Sequence, residues 1–176
     1  MEKVSTKKSP LDSIFSLIDN ISEWTGKIFS FLVPISVLVV LFEILTRQFN
    51  ISQDFSLELS EMLFGATFVM GGAYALKLGS HVTVDIIWTR LSPRKRAVLD
   101  LITSVFFFLF VGILIWKGWD AAVRAFVLNE RTQSPWSPIQ WPIRMVIPVG
   151  AFLMLLQGLV KYAKDIRRLA GKEQAL

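Results

Sequence analysis

Four stretches of roughly 20 mostly apolar residues constrain this chain more than any other feature: Ile28 to Thr46, Leu59 to Leu78, Ala97 to Trp119 and Met145 to Ala163. At a rise of about 1.5 Å per residue, each is long enough to cross about 30 Å of hydrocarbon as a helix. Lipid offers no partner to an open backbone, so such runs cross as helices that satisfy their own N–H and C=O groups. The expected fold is all-α: an integral membrane four-helix protein. Composition agrees, since 53% of the 176 residues are hydrophobic and 14 are Phe, too apolar for an ordinary soluble domain of this size.

Two further segments complete the expected architecture. Leu11, Ile14, Phe15, Ile18, Ile21 and Trp24 recur every three or four residues with Asp12, Asp19, Asn20 and Glu23 between them. That pattern is too polar for a secretory signal and suits an amphipathic helix, Leu11 to Gly26, lying in the membrane interface ahead of the first span. The connection "HVTVDIIWTRLSPRKR" between the second and third spans has an apolar side, Val82, Val84, Ile86, Ile87 and Trp88, that suits an interfacial segment. The chain therefore divides into residues 1–27, a cytoplasmic N-terminus with the interfacial helix; 28–163, the membrane domain; and 164–176, a basic cytoplasmic tail.

Charge sets the expected orientation. Of 19 Lys and Arg, 14 lie in residues 1–27, 77–96 and 161–176, on one side of a four-span chain. The positive-inside rule makes that side, with both termini, cytoplasmic. Basic residues that flank apolar runs favour a membrane surface over nucleic acid.

Catalysis finds little to work with. There is no Cys and one histidine, His81, which removes thiolate chemistry, iron–sulfur ligation and a zinc site of several imidazoles. No cofactor or metal is expected, and the chain is expected not to be an enzyme. Glu43, inside the first span, reads either as a proton or cation relay or as a partner for Arg47 one turn on. Glu58 and Glu61 open the second span, where carboxylates meet the positive end of the helix dipole or make an inter-subunit contact; acid/base work or calcium binding is the other reading. Gly71, Ala75 and Gly79 repeat every four residues, with Gly65 and Gly72 on a neighbouring line. Small residues so spaced let backbones approach, within the bundle or against another protein.

These residues resemble the small membrane subunit of tripartite ATP-independent periplasmic (TRAP) transporters, from about Val39 to Asp165. The resemblance rests on Arg47 after the first span, Glu58-Leu59 entering the second, Lys77, Gly79 and His81 at its end, the following Val84 and Asp85, and "WPIRMVIPVGAFLMLLQGL", with Gln157-Gly158, in the fourth. Where the family commonly has Arg-Tyr, this chain has Arg47-Gln48. The resemblance implies a heteromeric, sodium-coupled importer of the bacterial inner membrane. An external binding protein passes a small organic acid, usually a carboxylate, to a large multi-span subunit, which the small subunit braces. The Trp- and Pro-rich external loop, with Arg131, Trp136 and Trp141, is then a surface on which the binding protein docks. The alternative is a homo-oligomeric ion or proton channel lined by Glu43, Glu58 and Glu61, which requires those acids to converge on a symmetry axis.

Overall fold

The computed structural model describes residues 10–49, 55–79 and 93–169. They form five helices: α1, Pro10–Ser30; α2, Leu32–Gln48; α3, Ser56–Lys77; α4, Pro93–Val127; and α5, Trp141–Leu169. Four helical stretches, with α1 and α2 counted as one, are long and apolar enough to cross a membrane. The all-α, four-span architecture is as the hydropathy requires. His81, Asp85 and the expected interfacial segment between the second and third spans lie outside the described residues.

Of the boundaries that differ from the expected ones, three have a visible reason. Helix α1 continues to Ser30 rather than Gly26, and the break falls at Phe31. Pro34 is the cause, because it has no N–H to give to the Ser30 carbonyl and its ring crowds that group. Helix α4 runs past Trp119 to Val127, carrying Asp120 and Arg124 as a salt-bridged pair one turn apart at 3.1 Å. Helix α5 starts at Trp141 with Pro142 in its first turn, a favourable place. Pro148, expected near the helix start, therefore stands inside it. Its ring is accommodated at Gly118 of α4, where an added Cβ would meet Pro148 Cδ at 3.2 Å.

Packing follows a simple order. Helix α4 lies on α5, α5 on α3, and α3 on α2, while α1 covers α3 and touches α5. Glycines set the closest approaches. A Cβ on Gly150 would lie 2.5 Å from Val69 Cγ1 and 3.0 Å from the Val69 carbonyl; one on Gly72 would lie 2.8 Å from Met154 Sδ; and Gly158 of α5 is closed off by the Phe107 ring of α4. The buried apolar core is small-sided, with Ala66, Ala73, Ala122, Ala125 and Ala151 beside Leu76, Val111 and Val160. Large side chains point outward instead: Phe64, Phe68, Phe106, Phe110 and Trp116 are all exposed. In lipid, burying Leu or Phe inside the bundle gains little over leaving it in the acyl chains, so close backbone packing holds the helices together.

Candidate functional site: polar clamps at the two ends of the bundle

Helix α1 is amphipathic as its spacing indicates, but its polar side is the one that packs. Ile14, Leu17, Ile21, Trp24 and Ile28 are exposed, while Asp19, Ser22 and Glu23 face α3 and α5. Ser22 Oγ donates to Gln157 Oε1 at 2.9 Å. Gln157 Nε2 donates to Asp19 Oδ1 at 2.8 Å, and Lys164 Nζ donates to Asp19 Oδ2 at 3.0 Å. Lys77, closing α3, donates to the Asp19 carbonyl at 3.1 Å and to Glu23 Oε2 at 2.6 Å. Lys27 reaches the other Glu23 oxygen at 2.6 Å. Ser22 and Gln157 are almost fully buried. Removing either of these two would strand the other where water cannot replace it.

The pairings run antiparallel. Glu23 meets Lys77, Gly26 lies against Tyr74, and the Phe29 carbonyl lies 3.3 Å from Thr67 Oγ1. Arg167 completes the clamp, its guanidinium 5.0 Å from the centroid of the Phe15 ring.

At the opposite end, residues 128–140 fold into a compact loop. Asn129 and Ser137 adopt left-handed φ of 47° and 49°. Thr132 N–H donates to the Pro138 carbonyl at 3.2 Å and Gln140 N–H to the Glu130 carbonyl at 3.0 Å. Ser134 is the hub. Its hydroxyl donates to Glu58 Oε2 at 2.6 Å and accepts from the Ser137 N–H at 3.1 Å. Glu58, at the start of α3, thereby pins the loop to the bundle. Arg144 pairs with Glu130 at 2.5 Å and with Gln140, tying the loop to α5.

The residues singled out from the sequence take distinct places. Arg131 turns back to the Ser137 carbonyl at 3.2 Å, and Trp141 packs edge-on against Phe126 with centroids 5.4 Å apart. Trp136, beside Phe55, remains 42% exposed, together with Gln133 and Pro135 at the tip. Glu43 accepts from Arg47 at 2.7 Å, and Glu61 is exposed. Of the small residues on α3, Gly72 contacts α5, whereas Cβ atoms on Gly65 and Gly71 would meet nothing within 4 Å. Gly79 has equally open surroundings, but its φ of 69° shows why glycine stands there: it turns the chain out of α3 in the left-handed region. Ala75 is half-buried on the same helix.

Sequence reasoning did not single out Asp19, Ser22, Lys164 or Ser134, and used Gln157 only as a matching residue. One signal was present. A lone amide in an apolar span requires a partner, and Asp19, Ser22 and Glu23 share one face of α1.

Residues 36–168 match the family model for the DctQ component of tripartite ATP-independent periplasmic transporters. The chain belongs to this family. Over 106 residues it is 32% identical to the C4-dicarboxylate TRAP transporter small permease protein DctQ of Rhodobacter capsulatus, covering 58% of this chain and 44% of that protein. It thus spans under half the length of that relative. Membership makes this chain a DctQ-type component of such transporters, with four helical stretches long and apolar enough to cross a membrane. The matched region contains α3, α4, α5 and the Glu58–Ser134 loop clamp. It also contains Lys77, Gln157 and Lys164, the receiving side of the clamp on α1.

Proposed function

We propose that this chain is the small membrane subunit of a sodium-coupled TRAP importer of small organic acids, of which C4-dicarboxylates are the first class to test. In this reading it sits in the bacterial inner membrane with both termini in the cytoplasm, associates with a large transport subunit and helps seat a periplasmic binding protein. Family membership over residues 36–168 carries the reading. The geometry supports a brace. Of the acids a pathway would use, Glu43 is tied to Arg47 and Glu58 to Ser134, as Asp19 and Glu23 are to Lys164 and Lys77, while Glu61 stands exposed on α3 away from Glu43. A static polar clamp holds helices in register and does not relay solute.

Two surfaces follow from the same reading. The open face of α3, with Gly71 beside Phe64 and Phe68, offers the large subunit a place where backbones can approach closely. The pinned loop, with Gln133, Pro135 and Trp136 outward, offers the binding protein a rigid docking surface that loses little entropy on contact. The test is sodium-driven uptake of radiolabelled succinate by cells carrying the large subunit and binding protein, with and without this chain. Uptake that depends on the chain supports the proposal, and full uptake without it contradicts the proposal.

A further inference from the structure

The charge-free stretches of the four membrane helices have nearly the same length, yet they are staggered across the bundle. They are Ile28 to Phe42 through α1 and α2, Met62 to Leu76 in α3, Leu101 to Trp116 in α4, and Met145 to Val160 in α5. The packing contacts put them on one scale. Gly118 of α4 lies beside Ile147 and Pro148, Gly150 of α5 beside Val69, and Phe29 beside Thr67. Trp116, Val149, Phe68 and Phe31 therefore stand at about one height along the bundle, within roughly a turn.

Within their own charge-free stretches these four residues occupy different places. Counting from the end of each stretch on the loop-clamp side of the bundle, Trp116 is the terminal residue. Val149 lies four residues in, Phe68 six and Phe31 eleven. The shift grows steadily across the row α4, α5, α3, α2. Because the stretches are of similar length, their other ends shift in the same sense. An upright bundle would put Lys117, Asp120 and Arg124, exposed on α4, at the depth where α2 offers lipid only Val33, Ile35, Val37 and Leu38. Exposed charge at hydrocarbon depth is costly.

From this stagger we infer that the bundle leans in the membrane within the plane of its helix row. Eleven residues of rise, about 16 Å, over three interhelical steps of about 9 Å give a lean of roughly 30°, within the range that membrane helices adopt. The lean lifts the outer end of α4 into the headgroup layer. Lys117, Asp120 and Arg124, flanked by Trp116 and Trp119, then form a lipid-headgroup contact surface, the tryptophans at the level such side chains favour. At the opposite edge, Lys27 of α1 reaches the other headgroup layer.

The absence of cysteine makes the test direct. Single cysteines replacing Phe31, Val149 and Trp116, all exposed and none on the α3 face offered to the large subunit, would carry nitroxide labels. In the chain reconstituted with its large subunit, the ratio of relaxation by oxygen to relaxation by a water-soluble nickel chelate reports depth. The expected result is that position 116 reads as headgroup, 149 as hydrocarbon, and 31 as nearer the opposite leaflet, spread over about 15 Å. Equal depths at the three positions would overturn the inference. So would a label at 116 that neither reagent reaches, since α4 would then be covered by protein.

Discussion

Asp19 on α1 and Lys164 on α5 meet at 3.0 Å although 145 residues separate them. The same carboxylate accepts from Gln157, so one side chain joins a helix outside the family-matched segment to one inside it. Asp19→Ala leaves an ammonium and a buried amide without their acceptor. We expect a loss of about 1–3 kcal/mol in the docking of α1, seen as faster hydrogen exchange in Asp19–Gly26 with little change in α4. Unchanged exchange in α1 would show the clamp to be idle.

Gly150 and Gly72 predict different costs for the same change. At Gly150 a methyl group meets the Val69 side chain and its carbonyl; at Gly72 it meets the end of Met154, which can move. Gly150→Ala is expected to destabilise the bundle by about 1–3 kcal/mol and Gly72→Ala by distinctly less. Thermal unfolding in detergent, followed by tryptophan fluorescence, measures the difference. Equal midpoints would contradict the packing described here.

Gly71→Leu separates fold from assembly. With nothing within 4 Å of an added Cβ, the variant is expected to unfold at the wild-type temperature yet lose co-purification with the large subunit. Retained co-purification would remove this face of α3 from the interface.

Ser134→Ala deletes the hydroxyl that both holds Glu58 and caps the Ser137 N–H. The expected cost is about 1 kcal/mol, confined to the loop. Limited proteolysis should cut residues 128–140 faster while α3 and α5 stay resistant; an unchanged cleavage rate would mean the backbone bonds alone hold the loop.

Gly79 needs its left-handed φ. Gly79→Asn is expected to be tolerated and Gly79→Val to cost about 1–2 kcal/mol, with melting temperature as the measure. Equal losses would place the requirement in packing instead.

How much of this was legible beforehand depends on the kind of interaction. Hydropathy reports the four spans because each satisfies its own backbone, and the three-to-four spacing reports α1 because helical periodicity is local. The break at Phe31 is also local, written in Pro34, though Gly26 invited an earlier boundary. The Asp19–Gln157–Ser22 network could not be read off, because it joins residues more than 130 positions apart. The sense of α1's amphipathicity was hidden for another reason. A polar stripe faces water on a helix lying alone in the interface, and faces its neighbours on one that packs against other helices, as α1 does. The small-residue pattern on α3 was legible as a packing feature, but that Gly72 meets Met154 while Gly65 and Gly71 have open space beside them is visible only in the fold.

The central claim is that the chain braces a transporter and offers no pathway of its own. Liposomes holding the purified chain alone, compared with liposomes holding it with the large subunit and supplied with the binding protein, test this most directly under an inward sodium gradient. The account predicts no solute or ion flux in the first and succinate uptake in the second. Sodium or proton flux through the chain alone would contradict it.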